Sequence, residues 1–282
     1  MKTGLVMEGG AMRGMFTAGV IDVFMENGIE FDGGIGVSAG ATFGCNYKSH
    51  QIGRPIRYNK KYCQDRRYVS FRGWLKTGDL YGPEFDYVEL PNKLDIFDVE
   101  TYKSNPMDFY AVATDAYTGE PVYKLINNGD AYDIQWIRAS ASMPVFANPV
   151  MIDGVEYSDG GTSDSVPLKY FESIGYDRNV VILTKPKGYR KKPYAGKAFI
   201  RTYLRKYPEL YNAMLRRHIM YNSEMDYIDA CEAAGKIIAI RPDAKLKMKQ
   251  WERDPHILEE AYQLGRKKGE QYKDAVKEFL RG

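Results

Sequence analysis

At 282 residues, the chain has the size of one large α/β domain or two average ones, domains running about 50–250 residues. Its 44% hydrophobic and 27% charged residues exclude an intrinsically disordered chain. Forty Lys and Arg against thirty-seven Asp and Glu exclude the strongly basic make-up of a dedicated nucleic-acid binder. No apolar run reaches the ~20 residues of a membrane-spanning helix. The opening stretch, broken by Glu8 and glycines, reads as neither a signal peptide nor an anchor. Cys45, Cys63 and Cys231 are odd in number and widely scattered. They fit free thiols in a reducing compartment rather than a disulfide framework or a zinc site, so a cytoplasmic location is expected.

In chain order, Gly4 to Met7 is a short apolar run, expected as a buried first strand. A glycine-rich turn, Glu8 to Gly14, follows. Met15, Phe16, Val20, Val23 and Phe24 then recur at helical spacing, with Asn27-Gly28 as the stop. Gly33 to Val37 reads as a second strand running directly into Ser38, where a helix reaching about His50 should begin. Farther on, Phe109 to Thr114 and Pro121 to Lys124 read as a hairpin across a turn at Tyr117 to Glu120. Asp133 to Ser142 reads as a helix ended before Pro144. Val150 to Ile152 and Val155 to Tyr157 flank Asp153-Gly154, a second hairpin signal. Asn179 to Thr184 is a buried strand. After Pro186 the chain becomes helical, basic and Tyr-rich, broken by the strand-like run Lys236 to Ile240. Strands alternating with helices predict an α/β protein with a mainly parallel sheet covered on both faces. Residues 1–186 are expected to form the α/β core, and 187–282 a mostly helical extension packed on it.

Charge is balanced only on average. Residues 54–76 hold eight basic side chains and one acid, and residues 187–218 hold ten and one, leaving the rest net negative. Two basic segments on an acidic body suit an anionic partner, a phosphate-bearing ligand or a lipid surface; they are equally the pattern of two solvated helix faces.

The sharpest chemical signal is Gly36-Val37-Ser38-Ala39-Gly40, a G-x-S-x-G. A nucleophilic serine on a tight strand-to-helix turn needs very small residues two before and two after it. A glycine-flanked N-cap serine has the same pattern. Histidine is the usual base, and the chain has His50, His218 and His256. His50 closes the helix that Ser38 begins, about 18 Å away at ~1.5 Å per residue, and neither of the others has a supporting motif. The alternative base is Asp159, in Ser158-Asp159-Gly160-Gly161 just after a hairpin strand. A turn aspartate has the same pattern. Aspartate is a weak base, with a reference pKa of ~3.9 against ~6.5 for histidine. A serine–aspartate pair therefore predicts a partly dry site that raises its proton affinity. The third element is Gly9-Gly10-Ala11-Met12-Arg13-Gly14, which directs several backbone N–H groups at one spot, as an oxyanion requires. It fails the G-x-G-x-x-G dinucleotide pattern at Ala11.

With GGAMRG at 9–14, GVSAG at 36–40 and DGG at 159–161, the chain resembles the bacterial patatin-like phospholipases. That family carries an oxyanion turn, a nucleophile elbow and a D-G-[GA] in this order. Arg138 to Phe146 also resembles the family's Ala-Ser…Pro block, and the match covers roughly residues 3–186. The resemblance implies a three-layer α/β/α patatin-like fold with a helical C-terminal extension, and hydrolysis of lipid acyl esters through an acyl-serine intermediate. Ser38 would be the nucleophile and Asp159 the base, in the motif completed by Gly160 and Gly161. Gly36 and Gly40 would shape the elbow, and the turn of Gly9, Gly10, Ala11, Met12, Arg13 and Gly14 would hold the oxyanion, with amides around Gly10, Ala11 and Met12 as donors. No metal or cofactor is implied. The partners would be a lipid or acyl-ester substrate and peripheral contact with an anionic surface at the inner membrane, with no nucleic acid. Ala11 replaces the family's third glycine. If that position needs a positive φ, alanine costs about 1–2 kcal/mol there. The departure keeps a second class open, a lipid- or acyl-binding protein with a weakened site.

Overall fold

The computed structural model describes residues 1–282. Eight strands, β1 (Lys2–Met7), β2 (Gly33–Val37), β3 (Asp108–Asp115), β4 (Pro121–Leu125), β5 (Val150–Ile152), β6 (Val155–Asp159), β7 (Tyr176–Ile182) and β8 (Ile237–Ile240), form one sheet. Its order is β5-β6-β3-β2-β1-β7-β8, with β4 paired to β3. The pairs among β3, β2, β1, β7 and β8 are parallel. β4, β5 and β6 form the antiparallel end.

Ten α-helices surround the sheet: α1 (Gly14–Glu26), α2 (Ala39–Lys48), α3 (Arg54–Tyr62), α4 (Phe71–Thr77), α5 (Val99–Ser104), α6 (Ala131–Ser140), α7 (Leu168–Ser173), α8 (Lys197–Tyr203), α9 (Pro208–Ala233) and α10 (Pro255–Arg281). Alternate side chains of a strand point to opposite faces. Leu5, Met7 and Ile182 thus pack under α1, α2, α6 and α10, while Val6, Val37 and Val181 pack under α7 and α9. The result is the three-layer α/β/α arrangement with a mainly parallel sheet.

Helix α6 starts at Ala131, two residues before the sequence signal, because the Asp130 carboxylate accepts the N–H groups of Tyr132 and Asp133. It ends at Ser140, two residues early. The segment between α2 and β3, for which no element is expected from sequence, holds α3, α4, α5 and a π-helical stretch at Phe85–Leu94. Residues after 186 contribute β8 to the main sheet beside β7. Their last helix, α10, lies along α1, where the Tyr262 hydroxyl donates to buried Asp22 at 2.8 Å and Arg266 pairs with Glu26.

Candidate active site

A strand has two hydrogen-bonding edges. On β3, β4 takes one edge at residues 110–114. β2, paired to residues 108–112, and β6, paired to 113–115, therefore share the other edge. Val37 lies opposite Val112, and Asp159 lies opposite Ala113. The two strands run in opposite directions and meet end to end, so Ser38 and Asp159 are delivered to the same point.

Ser38 sits at φ 54°, ψ −120°, as the N-cap of α2. This is the left-handed half of backbone space, which a side chain rarely occupies without support. The turn closes so tightly that a Cβ on Gly36 would lie 2.4 Å from the Gly40 carbonyl oxygen, and one on Gly40 would lie 2.3 Å from that of Met7. These contacts are the physical content of G-x-S-x-G. The Ser38 amide donates to Ser140 Oγ at 2.9 Å. The Ser142 carbonyl accepts both the Asp159 amide and the Ser158 hydroxyl, each at 2.8 Å. The block at 138–146 thus ties the elbow to the aspartate loop.

Asp159 is 3% exposed. Burial raises its pKa, and the positive charge of Arg217, the Ser38 hydroxyl, the Gly161 amide and the charge of Lys191 oppose that rise without cancelling it. The Gly161 N–H donates to Asp159 Oδ1 at 2.8 Å. The carboxylate is therefore a stronger base than a solvated aspartate.

The glycine-rich turn packs beside the elbow, Gly9 against Val37 and Ser38. Ala11 adopts φ 49°, so alanine occupies a left-handed position. The Met12 amide donates to the Gln250 carbonyl and the Arg13 amide to the Gly10 carbonyl, each at 3.2 Å. Met12 is thus removed from the expected donors, because its N–H is already taken. The Gly10 and Ala11 amides meet no acceptor. Gly14 opens α1.

Two clefts meet at Ser38, Ala11 and Met143. One is mostly apolar, with Phe43, Leu90, Ile137 and Phe146 in its wall. The other is polar and holds Asp159, Glu8, Arg13, Lys185, Lys191, Lys192 and Arg217. The Glu8 carboxylate accepts the Thr184 amide, the Thr184 hydroxyl at 3.0 Å and the Tyr221 hydroxyl at 2.9 Å. No histidine lines either cleft. Sequence reasoning missed Glu8, Ser140 and Arg217 as site residues. Glu8 carried a signal as an acid directly ending an apolar strand, Ser140 lies in the 138–146 block, and Arg217 lies in the basic segment 187–218.

The basic segments divide. In residues 54–76, Arg54 and Arg57 pair with Asp95, Lys60 with Glu259, and Arg67 with Asp65 and Glu89. In the later segment Lys187, Arg190 and Lys206 are paired with acids, while Lys191, Lys192 and Arg217 face the polar cleft.

A family model described as patatin-like phospholipase matches residues 5–172. A second, described as a domain of unknown function (DUF6363), matches residues 207–281. The uncharacterized protein YjjU of Escherichia coli (strain K12) is 32% identical over 197 residues, 66% of this chain and 52% of that protein. Lysophospholipase nte1 of Aspergillus fumigatus is 25% identical over 181 residues, 62% of this chain and 11% of that protein. The chain thus spans about half the length of the first relative and about a tenth of the second. The crystal structure of VipD from Legionella pneumophila aligns with a TM-score of 0.47 at 13% identity, covering 98% of this chain and 67% of that one.

Proposed function

Because the chain belongs to the patatin-like phospholipase family, we propose that it hydrolyses lipid acyl esters with Ser38 as nucleophile and Asp159 as base. The observation that carries this reading is the end-to-end meeting of β2 and β6 on one edge of β3, which brings the two side chains together in a dry site. Ser38 Oγ attacks the ester carbonyl carbon as Asp159 takes its proton. The amides of Gly10 and Ala11, free of other acceptors, hold the oxyanion. Asp159 returns the proton to the leaving alkoxide, giving an acyl-serine. Water then gives a proton to Asp159 and attacks the acyl carbon. The fatty acid leaves, Ser38 recovers its proton, and no step calls on a metal or cofactor. The acyl chain lies in the apolar cleft.

The protein would work at an anionic membrane surface, in keeping with the expected location at the inner membrane. Helix α4 exposes Phe71 and Leu75 beside Arg72 and Lys76. Phe71 rests on Trp251, and Trp251 on Phe146 in the apolar cleft. An apolar and basic helix at a cleft mouth suits docking on anionic lipid.

The test is hydrolysis of a short-chain p-nitrophenyl ester by wild type, Ser38→Ala and Asp159→Asn. Both variants should lose about 10⁴-fold or more while keeping the wild-type fold by circular dichroism. Undiminished hydrolysis by Ser38→Ala would overturn the mechanism. The second reading, a lipid- or acyl-binding protein with a weakened site, is favoured by the strained Ala11. It predicts a silent wild type: recovery in Ala11→Gly would trace the silence to the oxyanion turn, and continued silence would support the binding protein.

A further inference from the structure

We propose that the polar cleft beside Ser38 is a site for a terminal phosphate, and that it selects lipids with a phosphomonoester headgroup over zwitterionic ones. The inference rests on the lipid-hydrolase reading and adds to it the class of headgroup.

Five cations, Arg13, Lys185, Lys191, Lys192 and Arg217, converge on this cleft, and none forms an ion pair, unlike their neighbours Lys187, Arg190 and Lys206. Two carboxylates face them. Glu8 is held by Thr184 and Tyr221, and Asp159 is the base. The cleft therefore keeps a positive excess.

Arg217 is half-buried, with its Nε fully covered. One of its terminal nitrogens donates to the Tyr194 hydroxyl at 2.8 Å, yet its Nε meets no acceptor, and neither does the Nε of Arg13. Buried guanidinium donors without partners are costly. Both guanidinium groups line the cleft, and phosphate pairs well with guanidinium groups.

Position in the sheet agrees. From β1 the chain builds toward β2 and β3 on one side, and β7 and β8 add on the other. The order reverses between β1 and β7. At the carboxyl ends of those strands lie Glu8 to Gly10 and Thr184 to Lys185. Open α/β sheets bind ligands in the crevice at such a point.

Burial also pushes the Lys191 ammonium down to about 7 and Lys185 to about 8, with Arg217 and Arg13, respectively, the next contributors. A dianion among them would favour their charged forms. A choline or ethanolamine headgroup would instead add a cation to an unpaired cationic cluster.

The experiment has two readouts. In turnover, kcat/KM is compared for lysophosphatidic acid, lysophosphatidylcholine and monoacylglycerol of one acyl chain, with wild type and Lys191→Gln. In binding, inorganic phosphate alone is titrated calorimetrically into Ser38→Ala protein, with and without Lys191→Gln. Lys191 is only half-buried and makes no side-chain hydrogen bond, so the variant should fold, which its circular dichroism checks. Wild type should prefer lysophosphatidic acid over lysophosphatidylcholine by about tenfold or more, the scale of one charged hydrogen bond. That ratio should collapse in Lys191→Gln, and phosphate binding should weaken in parallel. Phosphate binding with equal rates on all three lipids would overturn the headgroup assignment and leave a site for free phosphate. No phosphate binding and equal rates would overturn the site while sparing the hydrolase reading. Hydrolysis of none of the esters would sink the hydrolase reading and headgroup selection with it, leaving the phosphate titration to decide whether the anion site exists.

Discussion

Ser38 sits in a conformation close to one that belongs to glycine, and that strain is measurable apart from catalysis. Ser38→Ala and Ser38→Gly both remove Oγ and its contact with Asp159, so that loss cancels between them. Alanine keeps the Cβ, and with it the cost of φ 54°, ψ −120°. Residues in such sparsely populated regions cost about 1–3 kcal/mol. Glycine sheds that cost, but its freer unfolded chain takes back about 0.4–1 kcal/mol. The difference leaves Ser38→Gly more stable than Ser38→Ala by about 0.5–2 kcal/mol. At roughly 2–4 °C per kcal/mol for a chain approaching this length, its Tm should be higher by about 1–8 °C. Thermal unfolding followed by circular dichroism at one protein concentration reads this directly. Equal stability, or a more stable alanine variant, would mean that the elbow stores no backbone strain and that its geometry is set in some other way.

Two further outcomes follow from the site and its surroundings. Asp159 must be ionised to act as base, and burial raises its pKa above the ordinary 3.8. The acid limb of kcat/KM should therefore fall off at a pH above that of a solvated aspartate, and a profile still flat at pH 4 would refute the assignment of Asp159 as the buried base. Vesicles of anionic lipid should bind the protein at low salt and release it as salt rises, and Leu75→Glu on α4 should weaken that binding; salt-insensitive binding would remove the basic surface from the account.

All eight strands carried a sequence signal: the parallel strands are largely buried on both faces and read as apolar runs, while β4, β5 and β6 were marked by their hairpin turns. The Ser38 elbow was legible for a related reason. Gly36 answers a contact within the turn, with the Gly40 carbonyl, so spacing carries that information, while Gly40 answers one with Met7 at the end of β1. Helices α3, α4 and α5 were less legible. α3 packs on α1 and α10 rather than on the sheet, and α5 reaches the core through Tyr102 against Phe109 of β3, so neither shows a long buried face in sequence. The basic run at 54–76 was only half interpretable, since the acids that neutralise it, Asp95, Glu89 and Glu259, lie elsewhere in the chain.

What sequence could not convey is how the polar side of the site is closed. Glu8 is fixed by Thr184 and Tyr221, which are 176 and 213 positions away. Met12 gives its amide to Gln250. Arg217 comes from α9, far beyond the DGG segment it neighbours. These contacts separate two jobs. The strand ends of β2 and β6 and the turn after β1 assemble the Ser38–Asp159 pair and the two free amides. Residues from 184 to 250 supply most of the cations and fix which amides of the turn stay free. Substitutions among those later residues should therefore alter which headgroup is accepted more than they alter the attack on a bare ester. A Lys191→Gln protein that lost simple esters and phospholipids in equal proportion would contradict that division.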